Sequence, residues 1–199
     1  MKTKLVRLSL GALVAAVVLT RAVPAEGSTV DLHRIPGTRV LPTEPGNAAD
    51  YYVRLFDSIK PRTHGGERVV LGLAPGEIAL LVQGSKTGKC SFYPEHYMHA
   101  IGRRVAACCV AHAGLLINAV RWHLNDLYEQ GEFQEMSRVL ESLVALEWHV
   151  YRQDEFNDRL FAAAWLLESY KKLEELWSLQ EEEELAGQCR TQRLSFALV

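Results

Sequence analysis

The feature that most constrains the fold is the helical spacing of apolar residues between Glu95 and Glu184, which Gly131 interrupts. After Gly131 a single apolar stripe follows the helical period through Phe133, Met136, Leu140, Leu143, Val144, Trp148 and Tyr151. The polar residues between them are predicted to face away from the core, namely Glu135, Arg138, Glu141, Ser142 and Glu147. This pattern predicts amphipathic helices that pack on one side.

The segment Val105 to Val120 differs, because it is small and apolar nearly all round. A helix that is apolar on every face is either a packed central helix or a membrane span. The segment is short for a span and contains His112 and Asn118. We therefore predict a central helix that lets its neighbours approach closely, with a membrane-embedded helix as the alternative.

The remaining chain divides at proline, glycine and capping residues. A helix is predicted from an N-cap at Asn47 to Pro61, a short one from Pro75 to Gly84, and a long last one capped by Asp154. The acidic run Glu181 to Glu184 would close that helix and fray it, since negative charge opposes the dipole there. Arg68 to Leu73 is the one strand candidate. In the loop after Gly84 the side chains predicted to tuck against the helices are Cys90, Phe92 and Tyr93.

The predicted fold is all-α, with about five helices in antiparallel hairpins. The predicted organisation is a signal peptide at 1–25, an extended linker at 26–46, a helical domain at 47–187 and a flexible tail at 188–199. Within the tail, Leu194, Phe196, Leu198 and Val199 could dock onto the body.

The segment 1–25 has the three-part layout of a secretory signal. A cationic start with Lys2, Lys4 and Arg7 precedes an apolar run from Leu8 to Thr20, and small residues follow at Val23 to Ala25. The run is too short for a stable span, although a retained anchor is the alternative. All the charged residues that cleavage would remove are basic, so the rest of the chain would carry more acidic than basic residues. This charge gives no electrostatic reason to bind nucleic acid, and the predicted location is periplasmic or secreted.

Four cysteines allow two disulfides in an oxidising compartment: Cys90, Cys108, Cys109 and Cys189. Adjacent residues on a helix point about 100° apart, so Cys108 and Cys109 are poor partners for each other. The predicted bridge joins Cys90 to one of them. Cys189 would be free or intermolecular.

The segment Asn125 to Phe133 resembles the turn inside a tetratricopeptide repeat, with an aromatic residue two positions after Gly131. Met136 stands where that repeat usually has alanine, and no second copy follows at a period of about 34 residues.

Over roughly 47–167 the chain is similar to an uncharacterised family of exported bacterial helical proteins. The likeness rests on Asn47-Ala48-Ala49 before an aromatic helix, on Gly84, on Cys90 with its aromatic neighbours, on an Ala-rich helix ending in Gly131, and on Trp148-His149. The resemblance implies a secreted α-helical fold and no particular ligand.

The spacing of the histidines indicates an alternative function, metal binding, because zinc sites use ligands three or four residues apart on a helix. The candidates are His96, His99, Cys108, His112 and His123. No His-Glu-x-x-His order accompanies them, and the ordinary interpretation makes His112 and His149 hydrogen-bonded interface residues. No metal, cofactor or catalytic residue is therefore assigned.

Other chemistry lacks its motif. Gly84 to Lys89 has too few residues between its glycines for a phosphate loop, and neither a nucleophile elbow nor a haem attachment motif occurs. We expect a protein-interaction or envelope-assembly module without catalytic activity, whose partner is another envelope or secreted protein. Candidate contact residues are Arg121, Trp122, Arg152 and Tyr170.

Overall fold

The protein is all-helical in the residues that the computed structural model describes, which are 35–39, 44–59, 72–92, 102–153 and 156–197. The side chains of 102–112 and 156–157 are not among them. The six helices of these segments are α1 (Ala48–Ile59), α2 (Pro75–Ser85), α3 (Gly102–Gln130), α4 (Phe133–Tyr151), α5 (Phe156–Leu179) and α6 (Glu183–Ala197). None of these helices is long and apolar enough to cross a bilayer.

Helix α4 packs against α2, α3 and α5, and every residue from Glu141 to Glu147 is buried. One expectation is therefore wrong, because Glu141, Ser142 and Glu147 do not face solvent. A helix covered on three sides also buries polar residues that lie outside its apolar stripe. The central packing expected for Val105 to Val120 stays a prediction, since the side chains of 105–112 are not described.

The start of α1 confirms the predicted cap and ties down the loop after α2. The Asn47 side chain accepts from the backbone N–H of Ala49 at 3.2 Å and from that of Ser91 at 2.9 Å. Its amide nitrogen also donates to the Ser91 carbonyl at 3.1 Å. Cys90 and Phe92, the neighbours of Ser91 in the chain, are buried, as the sequence predicted. One side chain thus caps a helix and fixes a loop.

Two helix hairpins of the protein turn in the same way. Gly131 joins α3 to α4 with φ 73°, and Glu181 joins α5 to α6 with φ 60°. In each turn the following residue donates its N–H to the carbonyl five positions earlier, at 2.9 Å from Glu132 and 2.9 Å from Glu182. The sequence indicates the first turn by its glycine at position 131. The second turn has the same backbone conformation, but its left-handed residue is Glu181.

The end of the chain corrects two expectations. The acidic run does not end a helix, because α5 stops at Leu179 and α6 starts at Glu183. Negative charge in the first turn of α6 interacts favourably with the helix dipole. The expected loose tail is likewise a helix as far as Ala197, with Ala186 and Cys189 fully buried. Its predicted docking through Phe196 is confirmed by ring contacts with Trp148, Tyr151 and Tyr170.

Some predictions fall outside the described residues. These are the signal peptide at 1–25, the cap at Asp154, Tyr93, most of the strand candidate Arg68–Leu73 and the helix start at Glu95.

Candidate functional site

A Pro-Gly turn from the early part of the chain is buried among the last three helices. The Thr38 N–H donates to the Ile35 carbonyl at 3.3 Å, with Pro36 and Gly37 between them. Gly37 has φ 76°, so proline at the second position and left-handed glycine at the third give a type II turn. Ile35 and Thr38 are only 5% and 9% exposed. This part of the predicted extended linker is therefore a tight turn docked on the body.

Side chains form hydrogen bonds to both the N–H and the carbonyl of Gly37. Its N–H donates to Gln188 Oε1 at 2.9 Å. Its carbonyl accepts from Trp177 Nε1 at 2.8 Å and from Cys189 Sγ at 3.4 Å. A Cβ at this position would overlap Cys189 Sγ, so only glycine fits.

Arg39 provides the second point of recognition. Its N–H donates to Glu141 Oε1 at 2.5 Å, and its guanidinium lies 4.7 Å from the centre of the Trp177 ring. Nη2 donates to Gln180 Oε1 at 3.4 Å. Burial raises the pKa of Glu141, which the N–H and the positive charge of Arg39 partly oppose. We call Glu141, Trp177, Gln180, Gln188 and Cys189 the Gly37 clamp.

The Gly37 clamp has the chemistry of a peptide-binding site. Its members bond mainly to the peptide backbone, and an aromatic face and an amide oxygen contact one cationic side chain. Burial raises the pKa of the Cys189 thiol to about 12, and nearby Glu174 and Glu141 add to the effect. The thiol therefore stays protonated and acts as a donor.

A second polar cluster lies where α4 meets α1. His149 is fully buried, and its Nδ1 lies 3.0 Å from the hydroxyl of Tyr52, which is also fully buried. Burial lowers the pKa of His149 to about 3, although the Thr87 backbone opposes part of this shift. Burial also raises the pKa of Tyr52, so this pair is uncharged at neutral pH. Gln153 Nε2 completes the cluster by donating to the His149 carbonyl at 2.7 Å and to the Cys90 carbonyl at 3.3 Å.

Glu147 is a buried carboxyl between α4 and α5. Its Oε1 accepts from Ser169 Oγ at 2.8 Å, whereas Oε2 has no hydrogen-bond partner among the described residues. Burial raises the pKa of Glu147 to about 8, against the opposing effects of Ser169 and Arg121. The side chain is fully buried, so it affects the stability of the packing between α4 and α5 and is not accessible from solvent.

The metal-ligand candidates are only partly placed. His96 and His99 lie outside the described residues, as do the side chains of Cys108 and His112. His123 is half-buried on α3. The described His, Cys, Asp and Glu side chains form no group of three that could hold a metal ion. Metal binding by the five candidates stays a prediction.

The predicted disulfide is also untested, because the side chains of Cys108 and Cys109 are not described. Cys189 is a free, buried thiol.

The candidate contact residues separate into exposed and buried ones. Trp122 is 55% exposed on α3. Arg152 is exposed, with its guanidinium 5.6 Å from the centre of the Trp148 ring, and Arg121 is half-buried. Tyr170 is fully buried, where its hydroxyl accepts from Trp148 Nε1 at 2.9 Å. Tyr170 is therefore a packing residue and not a contact surface.

Sequence reasoning missed the Gly37 clamp, although the Pro36-Gly37 pair is itself a turn signal. Its partners lie more than 100 positions further along the chain, on three helices. No protein-family model, curated protein or solved structure matches this chain.

Proposed function

We propose that this protein is an exported helical interaction module that acts by binding a peptide turn, and not by catalysis. The observation that carries the proposal is the Gly37 clamp. It already holds the segment 35–39 of the chain by backbone hydrogen bonds and one cation contact, as a receptor holds a ligand. The ligand class is a Pro-Gly turn followed two residues after the glycine by arginine.

The packing order of the helices supports a tetratricopeptide-like arrangement for this module. Besides the hairpin neighbours, α1 packs on α3 and α2 packs on α4. The first four helices thus stack in two alternate pairs, as in helical-hairpin repeats. The shared turn at Gly131 and Glu181 gives a second sign of repetition. Stacked hairpins of this kind form grooves that receive peptides.

Export and an envelope partner are proposed on the basis of the cationic and apolar leader pattern. The excess of acidic residues after residue 25 suits a partner segment that carries positive charge, such as the arginine of the turn.

The test uses a labelled synthetic peptide with the sequence of residues 33–41 and the full chain carrying Gly37→Ala. The substitution weakens the internal turn, because the new methyl group meets Cys189 and the backbone is left-handed. We expect saturable binding of the peptide by fluorescence anisotropy. The same peptide with alanine for glycine should bind about tenfold more weakly or worse, since a left-handed non-glycine residue costs about 1–2 kcal/mol.

The matched control is a chain with Arg39→Ala, which loosens the internal segment without backbone strain and should also admit the peptide. Equal binding of the glycine and alanine peptides, or no binding to either variant when circular dichroism shows both folded, would refute the proposal.

A further inference from the structure

The short link between α5 and α6 is strained. Only residues 180–182 separate the two helices, and Glu181 has φ 60°. A side chain with a Cβ is disfavoured in this left-handed conformation, and glutamate has no compensating flexibility of the kind that Gly131 supplies in the equivalent turn.

The sequence around the link contains no residue type that breaks a helix. From Leu160 to Ala197 there is no proline, and the only glycine, Gly187, lies within α6. Glutamine and glutamate, which form the link, are good helix formers. Local preference therefore favours one continuous helix through α5 and α6, and docking of α6 opposes it.

The contacts that hold α6 in place involve a distinct set of side chains on the body. Glu174 accepts from Arg190 Nε at 2.7 Å and from Arg193 Nε at 3.1 Å. Phe196 packs among the rings of Trp148, Tyr151 and Tyr170, with centroids 5.5 to 6.2 Å apart. An identical α6 from a second molecule would make the same contacts without the strained turn.

We infer that two copies of this chain form a dimer by exchanging α6. In the dimer α5 and α6 of each chain are one straight helix, and each body receives the α6 of the other copy. Strained hinge loops are a known route to such exchange, since every native contact is kept and only the hinge changes.

The exchange gives the Gly37 clamp a composite origin. Glu141 belongs to α4 and Trp177 to α5, Gln180 is the first residue of the link, and Gln188 and Cys189 belong to α6. In the exchanged dimer each Pro-Gly turn is held by side chains from both copies. The inference does not depend on whether the Gly37 clamp binds an external peptide.

The first test varies the hinge in the full chain and measures the monomer–dimer equilibrium by size-exclusion chromatography with light scattering. Glu181→Gly relieves the strained turn in each of the two monomers that would form one dimer, so exchange gains less. We therefore expect association to weaken by about thirtyfold or more. Glu181→Val has a β-branched side chain that is still less tolerant of positive φ, so it should strengthen association. A dimer whose affinity is the same in both variants and the unaltered chain would overturn the inference.

The second test identifies which chain supplies α6 and keeps the hinge unaltered. One preparation carries Glu174→Cys and another carries Arg190→Cys, at positions that face each other across α5 and α6. After the two are mixed at high concentration, a short bismaleimide should join them into a covalent heterodimer. Each variant alone is the control for the native cysteines. Cross-linking no greater in the mixture than in the single variants would refute the exchange.

Discussion

Replacement of Glu147 by glutamine is expected to raise the free energy of unfolding at pH 7 by about 2–3 kcal/mol. Burial raises the pKa of this carboxyl from 4.5 to about 8, so the folded protein keeps a proton at pH 7 that the unfolded chain releases. Glutamine is neutral in both states, and its side-chain oxygen can still accept from Ser169. The substitution thus removes a cost of folding that grows with pH.

The sign of the pH dependence follows from which state binds more protons. Between pH 4.5 and about 8 the folded protein binds more protons at Glu147, so stability falls as pH rises. At His149 the pKa falls from 6.5 to about 3 on folding, so stability falls as pH drops through that window. The two effects cancel from 4.5 to 6.5 and give a plateau of maximal stability there.

Urea unfolding at a series of pH values, followed by circular dichroism, measures this profile. The Glu147→Gln protein should lose the decline above the plateau, and its decline toward low pH should begin near 6.5, because nothing then offsets the His149 effect between 4.5 and 6.5. Glu129→Gln, which changes an exposed residue of α3, is the matched control and should leave the profile as it is. A persistent alkaline decline in Glu147→Gln would show that another group is responsible.

Gly84→Ala is expected to destabilise the protein by about 2–4 kcal/mol. A Cβ at this position would overlap the edge of the Tyr52 ring, which is fully buried and cannot move without disturbing its hydrogen bond to His149. The small gain in helix propensity from alanine does not offset this overlap.

Thermal and urea denaturation of the variant measure the loss, and Gly76→Ala is its natural control. Gly76 lies in the same helix, and a Cβ there would meet nothing within 4 Å, so alanine should stabilise by up to about 1 kcal/mol. Combining Gly84→Ala with Tyr52→Leu should cost less than the sum of the two single substitutions, because the smaller side chain makes room for the new methyl group. If both glycine substitutions had the same sign, the tight contact with Tyr52 would be disproved.

The helices were predictable where the apolar period and the breakers agreed. Pro75 starts α2, and Gly131 separates α3 from α4. The left-handed turn at Glu181 that leads into α6 was not predictable, since glutamate rarely adopts positive φ.

The candidate site was much less predictable than the helices. A single helical pattern assigns charged residues to solvent, yet Glu141 and Glu147 are buried because α2, α3 and α5 converge on α4. Pro36-Gly37 indicated a turn, but no local signal shows that a turn will be enclosed by side chains of distant helices. Those contacts depend on tertiary packing.

Gly37 and Gln188 are 151 positions apart, and this separation bears on how the chain is made. While the polypeptide is being synthesised, the early turn emerges long before α6, so the Gly37 clamp cannot close until α6 has been made. A product that stops short of α6 would leave Trp177 and the apolar side of the turn in contact with water. Proteases and chaperones act on exposed apolar surfaces, so we expect an unfinished copy to be recognised and degraded.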